Sequence, residues 1–221
     1  LFDEAGHVTR AGSRALAGPP ARRTAPAVQR LLRQGFVVLG RTSMSEFAFS
    51  GLGVNPHYGT PTSPWDRATG RLPGGSSSGA AVAAADGMGF GGLGTDTGGS
   101  CRIPAALCGV VGFKPTARRV PLEGAFPLSA SLDSVGPLAR SVADCHALDT
   151  VISGAEEVPP LLPASLAGLR VGVLHSVVEE GLVGEVARPV GRALARLEAA
   201  GARLADLALP ALERLPAINA K

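Results

Sequence analysis

Lysine is nearly missing from this chain: Lys114 and Lys221 are the two it has, so most of its formal charge of +3 is carried by arginine. Those arginines are scattered, with doublets only at Arg22-Arg23 and Arg118-Arg119. A pI near 9.1 therefore does not amount to the clustered basic stripe that phosphate tracking needs. Aromatic residues make up 4%, too few for base-stacking platforms, and no nucleic-acid partner is expected. The three cysteines, Cys101, Cys108 and Cys145, are odd in number and lack CxxC spacing. That argues against both a disulfide framework and a metal knuckle, and a reduced, cytoplasmic setting is expected. No apolar run approaches the 18 or so residues of a membrane span, so no membrane partner is expected. The opening LFDEAGHVTR has neither the basic start nor the apolar core of a signal peptide, and no Met. The end, LPAINAK, is equally abrupt, and truncation at both ends is expected.

The composition that remains, 45% hydrophobic and 18% charged with 30 glycines and 18 prolines, reads as globular and rich in turns. Ala27, Val28, Leu31 and Leu32 predict a helix over 24–34, capped by Thr24 and ended by Gly35. Residues 36–39 read as a short buried strand, and Ser43 with Glu46 as a capping box opening a helix through Phe49. Residues 51–73 read as a long loop. An alanine-rich helix capped by Ser77 or Ser78 follows to about Asp86, then a glycine-rich strand over 88–93. A short helical turn at 103–107, a strand at 110–113 and a helix over 141–152, with Ser141 and Asp144 at capping-box spacing, complete the first part. Strand 169–175, helix 185–200 with Pro189 inside it, and strand 202–209 form a βαβ-like unit. Such alternation predicts an α/β layer fold.

Two serine clusters in glycine-rich turns dominate the middle of the chain: Gly74-Gly75-Ser76-Ser77-Ser78-Gly79, and Gly98-Gly99-Ser100. Turns of this kind leave peptide N–H groups uncommitted. A hydroxyl beside such donors is the minimum needed to attack a carbonyl and hold the resulting oxyanion, so acyl transfer is the first chemistry to consider. Other patterns compete. Gly75 to Gly79 also fits G-x-S-x-G, with Asp133 or Asp144 and His175 as further members of a triad. Gly89, Gly91 and Gly94 fit G-x-G-x-x-G, but a TDTGG loop follows where a helix should open. A phosphate cradle at 74–79 lacks a following lysine. His7, His57, His146 and His175 show no metal spacing, and Cys101 reads as a small buried residue.

Taken together, Gly74 to Gly79, Gly94-Thr95-Asp96-Thr97-Gly98-Gly99-Ser100-Cys101-Arg102-Ile103-Pro104-Ala105, Cys108-Gly109 and Gly112-Phe113-Lys114-Pro115-Thr116 closely resemble the amidase signature family. The likeness extends from Leu1 to about Gly154 and is more diffuse afterwards. It implies a single amidase signature domain over 1–221, a three-layer α/β/α fold with a mixed central sheet, incomplete in this chain. It also implies a Ser-Ser-Lys hydrolase. By position, Ser100 is the nucleophile and Ser76 the bridging serine in a cis peptide. The backbone amides of Thr97, Gly98, Gly99 and Ser100 form the oxyanion hole, and Ser77, Asp96 and Arg102 support the site. A neutral lysine would draw a proton from Ser100 through Ser76, and water would resolve the acyl-enzyme. The family's lysine lies just ahead of the residues matching Leu1-Phe2-Asp3, so this chain alone is expected to be inactive. The resemblance implies a small-molecule amide substrate, no cofactor or metal, and a homodimer as a candidate assembly. Alternatives are the amidase subunit of a tRNA-dependent amidotransferase and a noncatalytic scaffold lacking the lysine.

Overall fold

The computed structural model describes residues 1–174 and 181–214. They form two compact units, one over residues 1–161 and one from residue 162 onward. In the first, strands β1 (Gly91–Asp96), β2 (Val111–Gly112) and β3 (Ser134–Ala139) make an antiparallel sheet in the order β1-β3-β2. β3 lies in the centre and is buried along its whole length. No strand was expected there; glycine and proline are both disfavoured inside a strand. Proline survives here by serving only as an acceptor: its carbonyl takes the amide of Phe113.

The two faces of β3 hold two cores. Val135 and Ala139 pack with Ala27 and Leu31 of α1 (Pro26–Arg33) and with Cys145, Leu148, Val151 and Ile152 of α4 (Val142–Ser153). Leu138 faces the other way, onto Ala80, Ala81 and Val82 of α2 (Ser78–Ala85) and Ala105 and Cys108 of α3 (Arg102–Cys108). Alternation along one strand thus produces helix, sheet and helix layers. The small residues of α2 and β1 let the helix lie almost on the strand. A Cβ on Gly92 would come within 3.0 Å of Ala80 Cβ, and one on Gly94 within 2.5 Å of Ser77 Oγ. Because residue 77 sits over 94 and residue 80 over 92, the helix runs against the strand. Its N-terminus therefore lies at the end of β1 from which the second glycine-serine turn emerges.

Several local expectations are corrected. Thr24 does not cap α1: Ala25 holds the cap position, Pro26 starts the helix, and Thr24 Oγ1 accepts the Ala5 amide. Residues 36–39 form no ladder among the described residues, and Val37 and Leu39 are each 76% exposed. Ser43 does not cap the next turn, which is a 3₁₀ turn over Glu46–Ala48 preceded by Ser45. Ser43 Oγ instead donates to the Gly59 carbonyl. The glycine-rich strand begins at Gly91 rather than 88. Ser141 does cap α4, accepting the Asp144 amide at 3.0 Å.

The second unit pairs β4 (Arg170–Leu174) and β5 (Arg203–Leu207) in parallel, joined by α5 (Gly184–Ala199) with Pro189 within it. This is the expected βαβ unit: the helix keeps its expected length but starts and ends one residue earlier, β4 starts one residue later, and β5 is shorter at both ends. His175, the third member of the competing triad, and Lys221 lie outside the described residues.

Candidate active site

The two serine turns meet. The Ser77 amide donates to the Ser100 carbonyl at 3.2 Å, closing the chain separation between the clusters. The first turn is clamped from behind by residues 43–51. The Ser45 amide donates to the Ser76 carbonyl (3.1 Å), Gly75 to Gly51 (2.8 Å) and Gly79 to Ser43 (2.9 Å). The Gly75–Ser76 peptide is cis. Ser76 is fully buried, and its hydroxyl has no hydrogen-bond partner among the described residues, Ser100 included. Ser77 occupies the cap position of α2 without capping it; its hydroxyl instead reaches the Thr95 carbonyl at 3.5 Å.

Asp96 organises the second turn. Its carboxylate is fully buried, with Oδ1 accepting the Gly99 amide (2.8 Å) and Arg102 Nη2 (2.9 Å). Oδ2 accepts the Cys101 amide (3.1 Å) and Arg102 Nε (3.0 Å). Burial opposes the charge, but the fork of Arg102 and the two amides outweigh it, and the carboxyl is held below the usual carboxylate range. The same pairing holds the Arg102 guanidinium above its usual value. Arg102 is thus the ion-pair partner of Asp96, and the segment 96–102 is wound around one carboxylate.

This winding decides which amides are free. Gly99 was expected among the oxyanion donors, but its N–H is committed to Asp96. The amides of Thr97, Gly98 and Ser100 donate to nothing among the described residues. Around Gly98 there is open space, and Ser100 is 8% exposed. Beside it, burial and the Asp96 charge push the Cys101 thiol far up, which makes it inert as a nucleophile.

Of the competing constellations, the triad built on His175 reaches outside the described residues. Asp133 accepts from Thr97 Oγ1 and from the Leu128 and Ser129 amides, and Asp144 lies in the first turn of α4, so neither is oriented by a described histidine. Gly89, Gly91 and Gly94 run into β1 rather than to a helix. His57 faces Glu46 at 3.3 Å and His146 the Pro159 carbonyl at 2.9 Å. Lys114 donates to the carbonyl of Pro115 at 2.7 Å. Sequence reasoning missed the clamp of residues 43–51 and the link from Thr97 to Asp133. The capping-box look of Ser43 to Glu46 hid the first, and nothing in the sequence pairs Asp133 with a turn so far upstream.

The model of the amidase family matches residues 2–220. The chain is 44% identical over 189 residues to 2-amino-5-chloromuconic acid deaminase of Comamonas testosteroni, covering 85% of this chain and 41% of that protein. It is similar in structure to a crystal structure of an amidase, with a TM-score of 0.85 at 43% identity, covering 95% of this chain and 47% of the other. It is likewise similar to a glutamyl-tRNA(Gln) amidotransferase subunit from Thermotoga maritima, with a TM-score of 0.87 at 32% identity, covering 96% and 49%. The chain spans under half the length of each of these proteins.

Proposed function

The chain belongs to the amidase family, and from that premise we propose that the whole protein cleaves the carbon–nitrogen bond of a small carboxamide through an acyl-enzyme on Ser100. The observation that carries this reading is a turn that presents the Ser100 hydroxyl beside uncommitted amides, tied by one backbone bond to the residue after a buried, unpartnered Ser76 hydroxyl. A relay hydroxyl must accept one proton while giving up another, which needs hydrogen-bonding capacity not already spent. In this reading the Ser100 proton passes to Ser76 as Ser76 gives its own to a neutral lysine base, which the family resemblance supplies. The Ser100 oxygen bonds to the amide carbon, and the oxyanion faces the amides of Thr97, Gly98 and Ser100. The carbon–nitrogen bond then breaks as the amine takes the proton back, and water releases the acid. A small-molecule substrate, a cytoplasmic setting and a homodimer go with this reading.

A fluorophosphonate probe tests it. Labelling of the whole protein should be lost in Ser100→Ala. Labelling that survives that change and disappears in Ser77→Ala would move the nucleophile. A second reading, the amidase subunit of a tRNA-dependent amidotransferase, is favoured by the likeness to the Thermotoga maritima protein. Glutamine hydrolysis that appears only when partner proteins are added would select it. Release of ammonia from simple amides by the protein alone would select the first.

A further inference from the structure

We propose that Asp133 is a positioning residue for the oxyanion-forming turn, acting through the Thr97 side chain; this rests on the reading of Ser100 as nucleophile. The carboxylate is buried, with 8% of the residue exposed, and it joins two loops. Its Oδ2 accepts the amides of Leu128 (2.9 Å) and Ser129 (3.0 Å), and its own amide donates to the Ser129 carbonyl (2.9 Å), so its loop holds it from behind. Its Oδ1 is thereby presented forward and takes the hydroxyl of Thr97 at 2.5 Å. The two residues flank the last rung of the central ladder, where Asp96 is paired with Ser134. Thr97 is the first residue to leave β1, and Asp133 the last before β3.

The turn is thus held at both ends by carboxylates. Asp96 grips the far end through Gly99, Cys101 and Arg102, while Asp133 grips the near end through Thr97. The amides left free, Thr97, Gly98 and Ser100, lie between these grips. Gly98 has no neighbour within 4 Å of where a Cβ would stand, and neither its N–H nor the Thr97 carbonyl is hydrogen-bonded among the described residues, so neither packing on that side nor a backbone bond holds the peptide between them. The anchored side chain of Thr97 does. Donors fixed in advance stabilise developing charge far better than donors that must turn during the reaction.

The test uses the whole protein with Thr97→Val, Thr97→Ser, Asp133→Asn and the Thr97→Val/Asp133→Asn double variant. Thr97→Val is the variant safest for folding, since it leaves the Leu128 and Ser129 bonds of Asp133 in place. The expected result is a fall in kcat of about ten- to a hundredfold at nearly constant KM, smaller than the loss on deleting an oxyanion donor outright. Thr97→Ser should recover it, and the double variant should be no slower than the slower single variant. NMR relaxation provides a readout independent of activity: the order parameters of the Gly98 and Ser100 amides should fall in Thr97→Val while the melting temperature holds. A kcat within twofold of the parent, single losses that multiply in the double variant, or unchanged order parameters at Gly98 and Ser100 overturns the proposal. Failure of the catalytic reading is seen separately, as amide hydrolysis that persists in Ser100→Ala, and the relaxation measurement still tests the anchor.

Discussion

Asp96 and Arg102 form an unequal pair: the carboxylate is fully buried, while just over half of the arginine side chain is exposed. Removing the arginine leaves a buried charge with only backbone amides to hold it, and Arg102→Gln should cost about 1–3 kcal/mol in urea unfolding at pH 7. The sign with pH follows from the depressed carboxyl. Its contribution is complete above the unfolded value of about 3.9 and is lost as pH falls through the lower folded value. The stability gap between parent and Arg102→Gln should therefore shrink on acidification, because the variant's Asp96 takes up its proton at a higher pH than the parent's. A gap that widened on acidification would show that Asp96 is not the group being relieved. Two neighbouring glycines make a second contrast. Gly98 has open space around it, so Gly98→Ala should leave stability within about 0.5 kcal/mol while lowering kcat, because a methyl group then stands among the free amides. Gly99 has φ +132°, and a Cβ would come within 2.8 Å of Ile103 Cδ1, so Gly99→Ala should lower the melting temperature as well. Thermal melts and initial rates on the same samples separate the two. The roles of Ser76, Ser100 and Arg102 could be proposed from the family resemblance that the glycine-serine motifs carry. The capture of the Gly99 amide by Asp96 could not, because glycine-rich turns advertise free donors without saying which side chain will return to take them.

Helix α2 and strand β1 work as one device, since their small residues bring the start of the helix to the end of the strand. Gly94→Ala would place a Cβ within 2.5 Å of Ser77 Oγ and 2.9 Å of both Cys101 Sγ and Leu138 Cδ1. Overpacking of this kind costs about 1–3 kcal/mol, and here it also pushes the Ser77 turn away from Ser100. Denaturant unfolding should report the stability loss, and fluorophosphonate labelling should slow beyond what the folded fraction explains. Helix α4 offers a purely local comparison. Its cap is the Ser141 hydroxyl, so Ser141→Ala should cost about 1 kcal/mol in urea unfolding without changing kcat/KM. The α4 cap was legible because it needs only residues three apart. The strand β3 was not, because its glycine and proline look like a turn until two neighbouring strands claim the backbone around them.

At the scale of the whole molecule, the first unit carries apolar side chains in the open. Val37, Leu39 and Phe49 are 76%, 76% and 80% exposed, and Val38, Met88 and Phe90 help to line a groove of about 480 Å³ that Ser100 does not reach. Contiguous apolar surface of this sort marks a contact site or an aggregation hazard. The 221-residue chain on its own should therefore bind a hydrophobic dye such as ANS and self-associate. The dye signal should fall in a Val37→Lys/Leu39→Lys variant. Dye fluorescence no higher than that of an ordinary folded globular protein would contradict this. The apolar run at 36–39 reads as a buried strand from composition alone, and the exposure of Val37 and Leu39 is a tertiary outcome: a strand exists only where a neighbour supplies the ladder. What the sequence determined by itself was whatever depends on near neighbours or on residue type: the two glycine-serine turns, the small-residue helix between them, the cap of α4, the βαβ rhythm of the second unit and the family. Only the tertiary structure decided which strand lies at the centre, which carboxylates hold the turn at 96–102, and which amides remain free. Those outcomes turn on hydrogen bonds between residues far apart in the chain, and no local pattern specifies where such partners meet.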